Sequence, residues 1–410
     1  MSEMSRSTNY LLGLTMLYYT APRQADRKKN PVAWCSSIAP VEFLRAMDVL
    51  PLFPENHGAL IGARKMGVEL AEAAEAVGYS NDICSYARAD IGHILTGKSP
   101  VDGLARPDFL VCCNNICGTV VKWYENLARH FQVPLFLLDT PFNHGHEIPE
   151  YSLQYVEGQL REFIPWLERV TDKKFDLDRF KEVAMVSNQT AKLWREVLGL
   201  AQHKPAPFTA FDTFNYMAPV VTMRGTPEAL EYYRLLLEEL LQTVKEGAAA
   251  VPGEKYRLLW NGIPVWFAMR PMLQLLAKHQ ANLVCSTYTN AWVLEFDPDN
   301  LLRSMAEAYT AVLINQSMGL KFTNLENLIQ EFDLHGIIHH SNRSCKPYCF
   351  GLYDLSRMLQ AGSHAVPEMI FDGDQTDPRH FSWAQFENRF QSFIETLALA
   401  EPANGHRRQS

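Results

Sequence analysis

The sequence predicts an α/β protein with two Rossmann-like parallel-sheet domains and a helical segment between them. Short apolar runs alternate with longer amphipathic segments in the first third of the chain, and the same alternation returns in the last third. Between about residues 150 and 254 the strand-like runs vanish. Short apolar runs bounded by turn residues are typical of buried parallel strands, and the intervening segments are typical of crossover helices. We therefore expect an N-terminal α/β domain over 1–150, a helical middle region over 151–254 and a C-terminal α/β domain over 255–410.

The individual elements follow from these patterns. Predicted strands lie near 32–34, 49–53, 109–113 and 135–139 in the first domain, and near 257–260, 282–286, 336–339 and 368–371 in the last. Predicted helices include 59–76, 120–131, 155–170, 178–198, 227–246 and a closing helix over 383–399. Ligands of open α/β sheets gather outside the carboxyl ends of the strands, so a functional site is expected there, between the two domains.

Composition excludes several classes of function. The 410 residues are 47% hydrophobic and 20% charged, which is ordinary for a globular protein of several domains. The formal net charge of -8 gives no sign of the excess positive charge that binds nucleic acid or an anionic membrane surface. No stretch approaches the roughly 18 apolar residues of a membrane span, and the apolar patch over 11–19 lacks the features of a signal peptide. We therefore expect a cytoplasmic protein whose eight cysteines are thiols or metal ligands.

Three of these cysteines stand where a strand-like or turn-like segment leads into a helix-like one. They are Cys84, Cys117 and Cys345, and distant parts of the chain can bring them together. Three thiolates leave one corner of a metal cluster vacant, which is where chemistry can occur. Helix N-termini lower thiol pKa values and stabilise an anionic cluster. The spacing alone leaves buried structural thiols equally open, whereas a zinc site, which prefers short paired spacings, fits these separations poorly.

Several segments resemble a known family when they are taken together. They are YSNDICSYAR at 79–88, CCNNIC at 112–117 leading to KWYEN at 122–126, NRSCK at 342–346, PEN at 54–56 and DGDQTDPR at 372–379. Over nearly its whole length the sequence resembles the 2-hydroxyacyl-CoA dehydratase and benzoyl-CoA reductase family. It is most similar there to the larger iron-sulfur catalytic subunit of the dehydratases.

The resemblance implies a cofactor. In the family three cysteines of each subunit hold a [4Fe-4S] cluster whose fourth iron coordinates water or substrate, and the matching residues here are Cys84, Cys117 and Cys345. The sequence also carries Cys113, Cys285 and Cys349. These are either buried fillers or further ligands of a larger double-cubane cluster, which a related branch of the family holds with six thiolates.

The resemblance also implies a reaction and partners. The β-proton of a 2-hydroxyacyl thioester is too weakly acidic for general acid-base catalysis, which contributes some 10²- to 10⁴-fold. The family instead reduces the thioester carbonyl to a ketyl radical anion that expels the α-hydroxyl group. The partners implied are a homologous second iron-sulfur subunit and a separate ATP-hydrolysing iron-sulfur activator. A benzoyl-CoA-reductase-type reduction of an aroyl-CoA is the alternative, and a double-cubane reductase of small molecules is a second one.

Five polar residues near the predicted strand ends are candidates for substrate chemistry. Glu55 follows the strand near 49–53 and is a candidate for proton exchange with the substrate, although a solvated loop acid or an acid at a helix start is an equally open interpretation. Ser36 and Ser37 are candidates for hydrogen bonds to a water or hydroxyl on the iron, or are simple turn serines. His340 and Arg343 precede Cys345 and are candidates for contacts with the thioester or the CoA phosphates, or are polar residues that are satisfied at a strand end.

Two further motifs are interpreted by their context. Residues 92–99 fit the phosphate-binding expression G-x4-G-K-[ST], but the preceding residues look helical and Pro100 follows at once, so no nucleotide site is expected there. The DGDQTDPR segment resembles a divalent-metal loop, but we expect a turn in which Asp side chains cap the backbone. Trp123 and Tyr124 are expected to be core-facing aromatic residues on a helix.

Overall fold

Two four-stranded, all-parallel β-sheets form the centre of the protein. The computed structural model describes residues 5–404. The strands are β1 (Val32–Cys35), β2 (Leu50–Leu52), β3 (Phe109–Cys113), β4 (Leu135–Leu138), β5 (Tyr256–Asn261), β6 (Ala281–Ser286), β7 (Gly336–Asn342) and β8 (Glu368–Gly373). Each predicted strand has its counterpart within a few residues, and the predicted α/β class with two parallel sheets is confirmed.

Helices flank both sheets, and the part of the chain between the two sheets in the sequence is also helical. The helices of the N-terminal part are α1 (Arg6–Gln24), α2 (Val41–Ala46), α3 (Pro54–Ala63), α4 (Gly67–Ala76), α5 (Ser85–Thr96) and α6 (Gly118–Phe131). The middle of the chain forms α7 (Glu150–Thr171), α8 (Leu177–Gly199), α9 (Ala210–Tyr216), α10 (Ala218–Thr222) and α11 (Pro227–Lys245). The C-terminal part adds α12 (Met269–Lys278), α13 (Thr287–Asn290), α14 (Leu301–Thr310), α15 (Met318–Glu331), α16 (Lys346–Cys349), α17 (Leu352–Ala361) and α18 (Trp383–Asn404).

The two sheets share one strand order. The first sheet runs β2-β1-β3-β4 and the second runs β6-β5-β7-β8. In the first, Trp34 of β1 lies opposite Leu110 of β3, and in the second, Trp260 of β5 lies opposite Ile338 of β7. In each sheet the second strand in sequence lies on one side of the first, and the third and fourth strands lie on the other side. This reversal opens a crevice beyond the carboxyl ends of β1 and β3, and another beyond β5 and β7.

Burial explains why these short runs form strands. Every residue of β1, β3, β5, β6 and β7 is buried, as expected for parallel strands that are covered by helices on both faces. The helices between the sheets are amphipathic, and three of them begin at side chains that accept backbone N–H bonds, at Asp176, Thr209 and Thr226. No helix among residues 5–404 is long and apolar enough to cross a bilayer.

One predicted element is wrong. The helical pattern predicts a single helix over 59–76, but the structure has two, α3 and α4, separated by a turn in which Lys65 adopts a φ of 60°. The turn packs against the segment that follows β8. A Cβ atom at Gly67 would collide with the carbonyl oxygen of Thr376, so only glycine allows this close approach. Tertiary packing, which the helical pattern does not reveal, breaks the helix.

A buried ionic network joins the N-terminal sheet region to the middle helices and to α14. Glu42 of α2 accepts hydrogen bonds from Arg224 Nε at 2.7 Å and from Tyr309 Oη at 3.0 Å, and Ser187 of α8 donates to the same carboxylate at 2.8 Å. Burial by itself would raise the pKa of Glu42, but the Arg224 charge and these hydrogen bonds hold it below its ordinary value.

We expect Arg224→Met to destabilise the protein by about 3–5 kcal/mol, because it leaves the Glu42 carboxylate buried without its countercharge. Arg195→Met is the matched control, since Arg195 pairs with Glu295 and both side chains are largely exposed. Its effect should be below about 1 kcal/mol. Urea unfolding followed by circular dichroism measures both values, and equal losses in the two variants would contradict the assignment.

Candidate active site

A cavity of about 750 Å³, part of it open to solvent, is lined by loops that follow strands of both sheets. Ser37 follows β1, Cys117 follows β3, Ile263 follows β5, and Cys345 and Tyr348 follow β7. These are the loops at the strand-order reversal of each sheet, where α/β proteins bind their ligands. The cavity therefore occupies the position that the topology favours.

The three predicted cysteines all line this cavity. Each also has the same local position: Cys84 is the N-cap of α5, Cys117 the N-cap of α6 and Cys345 the N-cap of α16. The prediction that each cysteine opens a helix is thus confirmed. Within residues 5–404 no group of three His, Cys, Asp or Glu side chains is compact enough to hold a single metal ion. The thiols surround the cavity without closing on a mononuclear site.

The two cysteine turns from opposite halves of the chain are joined directly. The backbone N–H of Ser85, next to Cys84, donates to the hydroxyl of Ser344, next to Cys345, at 3.2 Å. The same hydroxyl donates to Asp374 Oδ2 at 2.5 Å. All three of these linking residues are buried. One hydroxyl group therefore fixes the separation of Cys84 and Cys345.

The helix N-termini lower the thiol pKa values, as expected, but burial outweighs them. Burial, together with the neighbouring Cys117, raises the pKa of Cys84 to about 12, although backbone N–H groups of α5 lower it in part. Burial also raises the pKa of Cys345, and both other thiols add to the effect. Joint ionisation of three crowded thiols requires positive charge among them, which the iron atoms of a cluster supply.

The donor set fits a cluster that is held by three thiolates. Three sulfur ligands face one cavity, and Gln375 Nε2 lies 3.5 Å from Cys84 Sγ, where it can donate to the sulfur. Hydrogen bonds to cluster sulfurs are a recognised means of tuning such groups. Gln375 belongs to the DGDQTDPR turn, where Asp374 Oδ1 accepts from the backbone N–H groups of Thr376 and Asp377 at 2.7 and 2.8 Å. The predicted capping of this turn by Asp is confirmed.

Glu55 is a buried carboxyl on the cavity wall. Its Oε1 accepts from the backbone N–H of Ser37 at 3.0 Å, and its Oε2 accepts from Tyr124 Oη at 3.3 Å. Burial raises the pKa of Glu55 to about 7, because these hydrogen bonds only partly offset the loss of water. A carboxyl with that pKa can donate and accept a proton near neutral pH. Glu55 is therefore not a solvated loop acid, but it does stand in the first turn of α3, as the helix-start interpretation predicts.

A second buried carboxyl lies behind the cavity wall. The indole N–H of Trp123, which lines the cavity, donates to Asp90 Oδ2 at 2.9 Å. Asp90 Oδ1 has no partner, and burial raises the pKa of Asp90 to about 7. Asp90 belongs to no sequence motif and was not predicted, and the bonds that Trp123 and Tyr124 make to the two carboxyls were not predicted either. The proximity of KWYEN to Cys117 was the available signal for both aromatic residues.

The other predicted substrate residues take different positions. Ser37 lines the cavity, but Ser36 is fully buried and its hydroxyl accepts from the backbone N–H of Cys113 at 2.8 Å. His340 is also fully buried; its Nδ1 lies 2.6 Å from the Ile263 carbonyl and its ring stacks on Phe371. Arg343 is exposed, and neither it nor His340 lines the cavity. The structure thus brings only Ser37 of this group to the thiols.

The additional cysteines do not join the trio in the cavity wall. Cys113 is buried within β3, and Cys285 is buried in β6, where Arg257 and Glu331 are the charged groups that act on its pKa. Cys349 is half-buried one helical turn after Cys345, and its thiol lies 3.8 Å from the carbonyl oxygen of Lys346. None of the three lines the cavity.

The nucleotide-motif segment lies in a helix. Residues 92–96 form the last turns of α5, and Gly97 ends that helix with a φ of 71°. No strand leads directly into it, since the described chain passes from α4 through a turn into α5. The predicted helical context of this motif is confirmed.

Comparison with known proteins shows the family to which this chain belongs. Residues 36–397 match the family model described as 2-hydroxyglutaryl-CoA dehydratase, D-component. The chain belongs to this family, as the resemblance predicted. It is 37% identical over 406 residues to the (R)-2-hydroxyisocaproyl-CoA dehydratase alpha subunit of Clostridioides difficile, and the match covers 98% of this chain and 99% of that protein.

Two further relatives are less similar to this chain. The (R)-phenyllactyl-CoA dehydratase alpha subunit of Clostridium sporogenes is 34% identical over 400 residues, with 97% of each chain covered. One subunit of the benzoyl-CoA reductase of Thauera aromatica is 30% identical over 372 residues, covering 87% of this chain and 86% of that protein. These matches confirm the prediction of an enzyme of the 2-hydroxyacyl-CoA dehydratase type.

We expect Asp90→Asn to flatten the pH dependence of stability. The unfolded chain ionises Asp90 near its ordinary pKa of 3.8, whereas the folded protein holds that proton to about pH 7. The cost of burying the carboxylate is thus absent below pH 3.8 and complete above pH 7, so the group makes the free energy of unfolding fall between them. Asn keeps the acceptor for Trp123, and between about pH 5 and pH 8 the variant should lose about 2–3 kcal/mol less than the wild type.

Urea unfolding of iron-free protein at the two pH values measures this difference. Glu182→Gln on the exposed face of α8 is the control and should follow the wild type. A wild-type pH response in Asp90→Asn would show that Asp90 is ionised at little cost.

Proposed function

We propose that this chain is the iron-sulfur catalytic subunit of a 2-hydroxyacyl-CoA dehydratase that converts an (R)-2-hydroxyacyl-CoA to a 2-enoyl-CoA. The observation that carries the proposal is the convergence of Cys84, Cys117 and Cys345, from both halves of the chain, on one cavity that also holds Glu55. Membership of the dehydratase family and the alpha-subunit names of the relatives support it.

We assign the three cysteines as the ligands of a [4Fe-4S] cluster. Such a cluster, when bound, supplies an iron with one free coordination position and a source of low-potential electrons. The chain itself contributes the thiolates, the Gln375 amide near Cys84 and the apolar wall that excludes water. The interpretation with six thiolates and a double cubane is less well supported, because Cys113 and Cys285 are buried elsewhere.

Glu55 is assigned to proton exchange with the substrate. Dehydration removes the hydroxyl group from C2 and a proton from C3, and both leave as water. Both proton transfers require that the thioester has first taken up one electron. The protonated Glu55 then donates to the hydroxyl group that leaves C2, which forms water. Its carboxylate accepts the proton from C3, which is acidic in the radical that remains, and return of the electron restores the starting state. Its pKa of about 7 suits both steps near neutral pH. Ser37 N–H and Tyr124 Oη orient the carboxyl.

The partners of this chain follow from the same proposal. A homologous second iron-sulfur subunit would complete the enzyme, and a separate ATP-hydrolysing iron-sulfur protein would activate it. The motif over 92–99 begins within α5 and continues past its end at Thr96, so its Lys and Ser do not open a helix as they do in a phosphate-binding loop. We further propose that the enzyme acts in the cytoplasm on a CoA thioester.

We expect Cys117→Ala to lose the cluster, since two thiolates cannot hold it. The wild type, purified without oxygen, should contain about four iron and four sulfide per chain and give an EPR signal on reduction. The variant should lose most of the iron and the signal. Cys349→Ser is the matched control and should keep both, because this thiol does not line the cavity.

Two outcomes of the iron analysis would contradict the assignment. Loss of iron from Cys349→Ser would favour a larger cluster. A colourless wild-type protein with stoichiometric zinc would exclude the cluster altogether.

We expect the complete enzyme to form an enoyl-CoA from a 2-hydroxyacyl-CoA when its activator, ATP and a reductant are present. Glu55→Gln should lower kcat about 10²- to 10⁴-fold while iron content is unchanged, because the amide cannot exchange the proton. Glu182→Gln is again the control. Reduction of benzoyl-CoA to a cyclic dienoyl-CoA in place of dehydration would establish the alternative, to which the similarity to the benzoyl-CoA reductase of Thauera aromatica points.

A further inference from the structure

We infer that the cavity selects 2-hydroxyacyl groups with an uncharged, medium-sized apolar side chain, aliphatic or aromatic, and excludes those that end in a carboxylate. This rests on the proposed function, since it names the substrate class of the same site. The wall of the cavity and the charges around it support the inference.

Most of the cavity wall is apolar. It includes Ile38, Val120, Ala291 and Ile314, together with Trp123 and Trp292. Val120 and the two tryptophans are buried, so packing fixes the shape of the surface they offer. A side chain of about four to seven carbon atoms gains contact with these groups and leaves water, which favours it over a methyl group.

The phenol group of Tyr86 does not change this character. Its Oη accepts from the indole N–H of Trp266 at 2.5 Å, so this hydroxyl already has a partner within the protein. The uncharged lining thus extends around the aromatic side.

Charge is the second criterion. Among the cavity-lining residues of the described chain there is no Arg, Lys or His, and the carboxyl is that of Glu55. A terminal carboxylate on the substrate would enter this apolar cavity without a countercharge. Burying an unpaired charge in this way is far more costly than burying a methyl group.

One cation lies close enough to require a test. Lys321 of α15 lines a neighbouring cavity with Asn261 and Asn324, and the two cavities share Ile314 and Tyr348. If a terminal carboxylate reached Lys321, the apolar wall would not exclude it. The inference places the acyl side chain against the apolar wall and not across Ile314 toward this lysine.

Binding of unreactive acyl-CoA thioesters to the iron-loaded complex tests the inference independently of turnover. We expect isocaproyl-CoA to bind at least about tenfold more tightly than propionyl-CoA, and at least about a hundredfold more tightly than glutaryl-CoA. Isothermal titration measures the three dissociation constants. Tighter or equal binding of glutaryl-CoA would overturn the inference, and its loss in Lys321→Met would identify the lysine as the cause.

Ala291→Phe supplies the positive test. Ala291 is the smallest side chain of the wall, and a phenyl group there fills the space for the acyl chain. Affinity for isocaproyl-CoA should fall at least about tenfold, while that for propionyl-CoA changes less than about threefold. The ratio does not depend on the fraction of folded protein. Ala398→Phe, at an exposed position of α18, is the control and should change neither.

The binding ranking tests the specificity inference, and the reaction assay tests the proposed function, so the two can be contradicted separately. If the ranking holds but no 2-hydroxyacyl-CoA is dehydrated, the proposed function is wrong and the apolar specificity stands. If dehydration occurs but both affinities fall equally in Ala291→Phe, the acyl chain does not lie against this wall and the inference is overturned.

Discussion

The hydroxyl group of Ser344 is the contact on which the candidate site depends. It accepts from the backbone of Ser85 and donates to Asp374, so one buried oxygen connects the turns that present Cys84 and Cys345. The two cysteines are 261 positions apart in the sequence, which no local pattern can span. A buried hydroxyl that serves two partners is costly to separate from either one, so the two halves of the chain are held in register at the thiols.

The repeated strand order determines where this contact lies in the fold. Each sheet reverses direction between its first and third strands, and each reversal contributes one edge of the cavity. A single sheet would offer its thiols to open solvent, whereas two sheets enclose them between loops of equivalent position. The buried network around Glu42 and Arg224 reinforces the arrangement, because it anchors α2, which follows β1, to the middle helices and α14.

Sequence patterns predicted the features that depend on local composition. The eight strands and the position of each key cysteine before a helix follow from short apolar runs and the turns after them. The break between α3 and α4 did not follow, because Gly67 responds to Thr376, more than 300 positions away. The partner of Ser36 and the net rise of the thiol pKa values could not be predicted for a similar reason: the backbone N–H of Cys113 and the crowding of the thiols meet these groups only in three dimensions.

Loss of water is one physical cause behind three properties of the cavity. It raises the pKa of Glu55 to about 7, it makes joint ionisation of the thiols depend on bound positive charge, and it disfavours a substrate with a free carboxylate. Acid-base function, cluster retention and specificity are therefore not independent. A polar substitution in the apolar wall would admit water, move the pKa of Glu55 back toward 4.5 and weaken the discrimination against charged acyl groups at the same time. In the proposed function, substrate choice is accordingly set by the same residues that keep a proton on Glu55.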